Sequence, residues 1–480
     1  MISLRTKKVL SHRGISFVRT NARFNPALIF TLFIFFVTPI GHASLDADEL
    51  INEDSFEDAF DESFEIETEQ TEKTTFQNNS RLLRFTFAHE IGYHPDNTNK
   101  LPVNRSSLRL EWEHLITQQI FFRFDAKMAY DFAYDHHQYP VATTQNYRFQ
   151  KKIREMYFQS THQKISVKIG KQILVWGEAD GAIVTDIISP RNLTEFIFQP
   201  IEDTRIGQIM LTIDYFSHNH HWTLLLNPDR KTNQFALPGH EYALFNPLQN
   251  NPLINLTKEQ TPKTSLSDME VGLRWKKTFS GHDVSFMLAE VTNNNPVLAS
   301  QTIQNQQITL QPIFTRYQML GFAMNWTDEQ TLFKIELAKK WNKTFQSKEL
   351  LVNQGLLRKN TIEWMLGIEY DANNDFYLSF ELSDQWIQDW SAKLINRQHE
   401  SNFYTIFSKN FLNETLKTQY VYIYQIQDQN AIHRLQTSYD INDQLKAHIN
   451  LATFDIRSST SVLKNFEDKN RISVKLEWTF

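Results

Sequence analysis

The chain has 480 residues, enough for about three soluble domains unless it forms one large barrel. It contains no cysteine, which excludes disulfides, zinc-thiolate sites and cysteine nucleophiles. Hydrophobic residues reach 41% and aromatics 13%, so the chain as a whole is not disordered, and 13 glycines with 14 prolines argue against glycine-rich nucleotide-binding loops.

Charge divides the chain into three parts. Residues 1–43 carry six basic residues and no acidic one, and residues 46–72 carry thirteen acidic residues and no basic one. Residues 73–480 are balanced, with 42 acidic against 43 basic residues. That balance does not support a uniformly basic binding surface, and no nucleic acid is expected as a partner.

The first part has the pattern of an export signal. A basic stretch precedes the apolar run from Ala27 to Ile40, and Gly41-His42-Ala43 puts small residues where a signal peptidase cuts, so residues 1–43 are expected to be removed. The alternative is a membrane anchor, but this run, broken by Pro39, falls short of the roughly 20 residues a spanning helix needs. No later apolar run is as long. A mature protein that lies in a membrane would therefore have to cross it with strands.

Residues 44–80 are an acidic segment, expected in the periplasm. Phe56, Phe60 and Phe64 recur at helical spacing among Asp and Glu, which allows two readings: a solvated linker, or a short amphipathic helix that docks a periplasmic partner. The segment is too short for a plug domain.

From residue 81 the pattern has a period of two. In the last candidate strand Ile472, Val474, Leu476, Trp478 and Phe480 share one face, and Arg471, Ser473, Lys475, Glu477 and Thr479 share the other. The same alternation recurs at 108–113, 270–276, 362–370 and 376–382. A soluble sandwich would also alternate. Combined with an export signal and aromatic strand ends, the pattern instead predicts an all-β fold: a transmembrane antiparallel up-and-down β-barrel of 16 to 18 strands over 81–480.

Strand candidates begin at 81–93, 105–116, 119–134, 147–160 and 163–175, and end at 443–456 and 469–480. Connections after even-numbered strands are short, and those after odd-numbered strands are mostly long, including 94–104, 176–205, 229–266 and 293–312. Only the connection near Gln427 is short where a long one is expected. Short periplasmic turns and long outer loops produce this segregation.

The apolar alternation leading to Phe480 resembles the closing strand of Gram-negative outer-membrane porins. The segment from Gly170 to Gly181 (GKQILVWGEADG), followed by Asp186, Ser189-Pro190 and Arg191, resembles a family of porin-like barrels of unknown substrate in which a strand ends in Trp-Gly-Glu before an inserted third loop. The resemblance covers 81–480. It implies a Gram-negative outer-membrane location, lipid and the barrel assembly machinery as partners, small solutes as cargo, and Trp478 and Phe480 as an assembly signal.

No Gly-x-Ser-x-Gly elbow, His-Glu-x-x-His motif or phosphate-binding loop occurs, so no catalytic residue, metal or cofactor is expected. His218, His220 and His221 cluster at a short turn, but adjacent residues of a strand face opposite ways, which favours a polar turn over a metal site.

The informative segment is 176–205. It carries Glu178, Asp180, Asp186 and Glu195 with Arg191 and Arg205, and the apolar runs 182–184 and 196–198 make it too apolar to remain free in water. It either folds into the lumen as a constriction bearing those six charges or caps the neighbouring outer loops. Trp176 is expected to be an interfacial anchor. By alternation, Arg109, Glu111, Lys168, Arg274, Lys334, Glu363, Glu381 and Lys475 face the lumen, since a charge facing mid-bilayer lipid would cost about 2 to 4 kcal/mol. The leading function is an outer-membrane channel for small solutes. The alternative is a plugged surface scaffold, adhesin or export component.

Overall fold

The computed structural model describes residues 81–480 except 96–100, 137–138, 200–203, 245–247, 249–250, 305–306, 373–375 and 459–460. The expected signal peptide and acidic segment, 1–43 and 44–80, lie outside the described residues.

Eighteen antiparallel strands form one closed barrel. In chain order they are β1 (Arg81–Tyr93), β2 (Asn104–Thr117), β3 (Ile120–Asp131), β4 (Phe149–His162), β5 (Ile165–Gln172) and β6 (Gln208–Ser217). Then come β7 (His220–Asn227), β8 (Glu270–Phe279), β9 (His282–Thr292), β10 (Arg316–Asp328), β11 (Thr331–Gln346) and β12 (Leu356–Asp371). The ring is completed by β13 (Phe376–Ile387), β14 (His399–Phe411), β15 (Leu416–Gln425), β16 (Asn430–Asn442), β17 (Leu445–Asp455) and β18 (Arg471–Thr479). Each strand pairs with its neighbours in sequence, and β1 pairs with β18, setting Thr86 opposite Thr479 and Tyr93 opposite Ile472. Closure leaves no sheet edge unpaired.

Phe480 completes this seam. Its backbone exchanges two hydrogen bonds with Phe85, at 2.8 and 2.9 Å, and the two rings stack with centroids 6.0 Å apart. Removing Phe480 deletes all three contacts, so a larger unfolded fraction is expected in heat-modifiability gels. Unchanged migration would show that the seam closes without it.

The connections segregate as alternation and turn spacing predict. Those after even-numbered strands have two to four residues, whereas those after odd-numbered strands are long, except for 426–429 between β15 and β16. With few glycines, the tight turns place other residues in the left-handed region: Gln163 (φ 53°), His218 (φ 53°) and Glu329 (φ 50°). His218 thus sits in a turn. His220 receives the Trp275 indole N–H on the outer face at 3.1 Å, while His221 pairs with Asp214 inside at 2.9 Å, so the three histidines do not converge. A cysteine introduced at Leu351, in the long 347–355 loop, should be labelled by an impermeant maleimide on intact cells, and one at Ser280 should not. The reverse result would invert the orientation.

The long loops carry structure that period-two reading does not find. A helix (Val141–Tyr147) lies in the β3–β4 connection. A three-stranded sheet combines Ile254–Leu256, Val297–Gln304 and Gln307–Ile313, and Asn192–Leu193 pairs in parallel with Gln234–Phe235. The loop strands pack on one another and on the barrel interior in one large apolar cluster, while Tyr147 of the helix packs with Tyr134 and Tyr139 in a separate small one.

The outer surface is apolar. Leu288, Leu320, Leu337, Leu366, Ile449 and Val474 are all exposed, and Trp222, Trp275, Trp326, Phe333, Tyr370 and Trp478 gather near the short-turn rim. Such a band has no place in water. A closed antiparallel barrel with an apolar belt and aromatic girdle is an outer-membrane architecture, and the protein resides in the outer membrane of a Gram-negative cell. Among the described residues no helix is long and apolar enough to cross a membrane.

Candidate functional site

The connection between β5 and β6, residues 173–207, enters the barrel. Trp176, expected at the membrane interface, is instead almost completely buried inside, because its indole packs on Gly272 of β8. A Cβ at Gly272 would lie 2.5 Å from the ring, so glycine makes room for the tryptophan. The alternation that placed Trp176 on a strand end fails because β5 stops at Gln172.

Two carboxylates on the far wall hold the next stretch. Glu336 of β11 accepts the backbone N–H groups of Glu178 (2.6 Å), Ala179 (3.0 Å) and Thr185 (2.9 Å), and the Thr185 hydroxyl (2.8 Å). Glu381 of β13 accepts those of Asp180 (2.7 Å), Gly181 (2.6 Å) and Ala182 (3.1 Å). From β5 to β13 is eight steps around a ring of eighteen, so this strap spans the interior to the opposite wall. Gly181 passes so close to Tyr404 of β14 that a Cβ would meet its ring at 2.4 Å. Ala182, Val184, Ile187 and Ile188 then bury against Met287, Met319, Ala323 and Met365 on the wall.

The expected constriction charges are mostly paired. Asp180 meets Lys334 Nζ at 3.2 Å and the Tyr377 hydroxyl at 3.0 Å, and Lys334 also pairs with Glu369. Asp180, Glu369 and Glu381 bring carboxylate oxygens within 4.8 Å of one another, and the Lys334 ammonium lies among them. Asp186 holds Arg205 at 2.8 Å and Arg191 at 3.3 Å. Burial and the neighbouring Arg205 together lower the Arg191 guanidinium to about 10. Among the described residues of the loop Glu178 is the most exposed carboxylate; it accepts the Asn325 amide at 2.9 Å and lies 3.7 Å from Arg274.

The remaining wall positions also form ladders. Arg109 bonds Asp125 at 3.0 and 2.8 Å and lies 2.9 Å from Glu111. Glu363 is shared by Lys340 at 2.5 Å and Lys343 at 2.7 Å, Lys475 pairs with Glu477 at 2.7 Å, and Lys168 Nζ sits 4.9 Å from the Tyr157 ring centre.

The second half of the strap returns to the closing seam. Glu195 pairs with Arg105 of β2 and lies 3.7 Å from Arg471 of β18, while Glu90 of β1 bonds Arg105 at 2.9 Å and Arg471 at 2.7 Å. The Arg471 guanidinium also sits 4.8 Å over the Phe198 ring. Burial pushes the Glu195 carboxyl up, but Arg105 and Arg471 outweigh it and hold the group well below the usual carboxylate range.

Sequence reasoning missed Glu336, Lys340, Lys343 and the Glu90–Arg471 pair. Alternation between Ile335 and Leu337 does put Glu336 inside, but its partners lie about 150 residues earlier, a distance no periodicity spans.

Solved barrels similar to this chain include OccAB1 of Acinetobacter baumannii (8% identity, 83% of this chain and 96% of that chain, TM-score 0.49) and OccAB3 of the same organism (11% identity, 83% and 98%, TM-score 0.48). The outer membrane protein OpdK of Pseudomonas aeruginosa is similar too (7% identity, 84% and 100%, TM-score 0.46). No curated protein matches by sequence. The match that extends over most of the barrel, residues 97–480, is to the family described as "Protein of unknown function (DUF1302)", and the chain belongs to that family.

Proposed function

We propose that the protein is an outer-membrane channel for small solutes and that residues 176–205 form its constriction. The observation that carries this reading is the strap anchored across the interior on Glu336 and Glu381. An eighteen-strand barrel is wide enough to hold water, and a chain segment tied across it sets the free cross-section. Interior charges on β2 and β18, such as Arg109 and Lys475, retain about a quarter of their side-chain exposure, consistent with a wet lumen beside the strap.

Glu178 is the constriction carboxylate in this reading, while Asp180, Asp186, Arg191, Glu195 and Arg205 fix the strap in place. Neutralising Asp180 would take one of the carboxylates away from buried Lys334, and neutralising Asp186 would take away the carboxylate that Arg191 and Arg205 share, so either change is expected to destabilise the fold. Glu178→Gln should instead lower cation preference without loss of stability. Planar-bilayer recording of the refolded protein tests the proposal: wild type conducts, and Glu178→Gln shifts the reversal potential.

A second reading has its own support. Trp176, Ile188, Phe196 and Ile197 are as buried as any residue of a soluble core, which suits an occluded barrel serving as a scaffold or export component. A silent wild type together with a conducting variant lacking the two strap anchors would favour it. Silence from both would end the channel reading.

A further inference from the structure

The short-turn end of the lumen is unevenly charged. Across five neighbouring strands the register sets Lys417 (β15), Ser438 (β16), His448 (β17), Lys475 (β18) and Glu90 (β1) in one inward-facing row. Nearer the rim, Lys446 and Arg84 share the inner face, each within four residues of the start of its strand. Glu90 is taken up by Arg105 and Arg471, which leaves Asp440 and Glu477 as the carboxylates of this sector. Asp440 lies 3.6 Å from Lys446, and Glu477 lies 2.7 Å from Lys475. Cations therefore outnumber carboxylates here. Beyond β1 the charges balance, with Glu111 2.9 Å from Arg109 and Glu113 2.6 Å from Arg123.

A second observation marks the same sector. His448 is buried, and among the described residues neither of its ring nitrogens has a hydrogen-bond partner. The Glu477 carboxylate approaches it only to 4.0 Å. The Oδ1 of Asn450, next on the inner face of β17, is also unpartnered, and Arg84 forms no ion pair with a described residue. A buried polar group without a partner costs about 1–3 kcal/mol. Imidazole and guanidinium call for an acceptor and the Asn450 oxygen for a donor, a combination that an acidic peptide supplies with its carboxylates and backbone N–H groups.

The chain carries such a peptide on the neighbouring strand. Residues 46–72, with thirteen acidic residues and no basic one, lie outside the described residues and join β1 through 73–80. Glu72 precedes Arg81 by nine residues and Glu90 follows it by nine, about 30 Å of extended chain in each case, so a segment doubling back at the rim reaches the row beside Lys475. Earlier acidic residues have slack to reach Lys446 and Lys417, about 5 and 14 Å further across the sheet. A tether this short gives an effective concentration of about millimolar, so several weak pairs suffice.

We propose that the acidic segment 46–72 of this chain docks in the periplasmic mouth of its own barrel, on the inner face of β15–β18. Its carboxylates pair with Arg84, Lys446 and Lys475, and it supplies the partners that His448 and Asn450 lack. Docked there, the segment narrows the mouth on the periplasmic side of the strap. This inference does not depend on whether the lumen conducts, because docking is read directly.

Carbodiimide, which joins a carboxylate to an amine without a spacer, tests the contact in outer membranes containing the protein. Mass spectrometry should find residues 46–72 linked to Lys446 or Lys475, whose side chains are 32% and 24% exposed, in preference to Lys164 in the β4–β5 turn. On protein folded in detergent, a glutamate-specific protease should cut within 46–72 slowly at low salt and several-fold faster at high salt, where the pairs are screened. The Lys446→Gln, Lys475→Gln double variant should be cut as fast at low salt as wild type at high salt while keeping normal heat-modifiability. Should that variant not fold, the wild-type cross-links and salt dependence decide alone. Links to neither lysine, links mainly to Lys164 or to a second protein, or cleavage equally fast at low and high salt would each overturn the proposal.

Discussion

Replacing both Glu336 and Glu381 with alanine is expected to release the strap and raise single-channel conductance severalfold while the barrel remains closed. Together the two side chains accept six backbone N–H groups and one hydroxyl, and neither anchor belongs to the strap itself. A buried donor left without an acceptor costs about 1–3 kcal/mol, so losing seven acceptor contacts outweighs the apolar burial of Ala182 and Val184 and favours the hydrated strap. The barrel hydrogen bonds between β11 and its neighbours are backbone pairs and do not involve either carboxylate. Limited proteolysis between Gly177 and Ile188 should therefore become fast in the double variant, alongside the conductance change. Resistance to protease with wild-type conductance would show that packing of Trp176 and Ile188 holds the strap without these anchors.

The second large effect is expected at the seam. Arg471→Ala removes a guanidinium that pairs with Glu90 at 2.7 Å and lies 3.7 Å from Glu195, leaving two buried carboxylates to share Arg105. Breaking a buried ion pair from one side costs about 3–5 kcal/mol, and here the damage falls where β1 must meet β18. The expected result is a lower temperature for the heat-modifiability shift and a lower urea midpoint in detergent. Arg471→Lys should recover only part of the loss, because an ammonium cannot bridge Glu90 and Glu195 while covering the Phe198 ring.

Acid should affect this cluster late. Glu195 has a folded carboxyl pKa held below its ordinary value, so its contribution is fully present above the ordinary carboxylate pKa and is lost only as pH falls from there through the depressed folded value. A wild-type seam that still resists heating at mildly acid pH is the expected outcome. In Arg471→Ala one of the two cations that hold the pKa down is missing, so acid should loosen the seam at a higher pH.

Sequence by itself determined the barrel. Alternation is a local property, and at Ile472, Val474, Leu476 and Trp478 it assigns each residue to a face with no knowledge of its partners. Turn spacing is equally local, which is why the short rim, the long rim and the exceptional connection beside Gln427 could be read directly. Charged positions such as Lys334, Glu363 and Glu381 were legible as interior for the same reason, since lipid excludes them.

Tertiary structure alone decided what those interior groups do. Asp180 and Asp186 look like free charges in a loop, yet they sit in ion pairs with Lys334 and Arg205, and the strap reaches Glu336 and Glu381 only because closure brings β11 and β13 opposite β5. Trp176 was misread for a related reason: its environment is set by a glycine on another strand, Gly272, and not by its place at the end of its own. A strand's pattern records which side faces lipid, because every residue is selected against the same solvent. Inside the lumen each side chain faces one particular partner, chosen by ring closure and separated in sequence by up to several hundred residues, as Glu90 and Arg471 are.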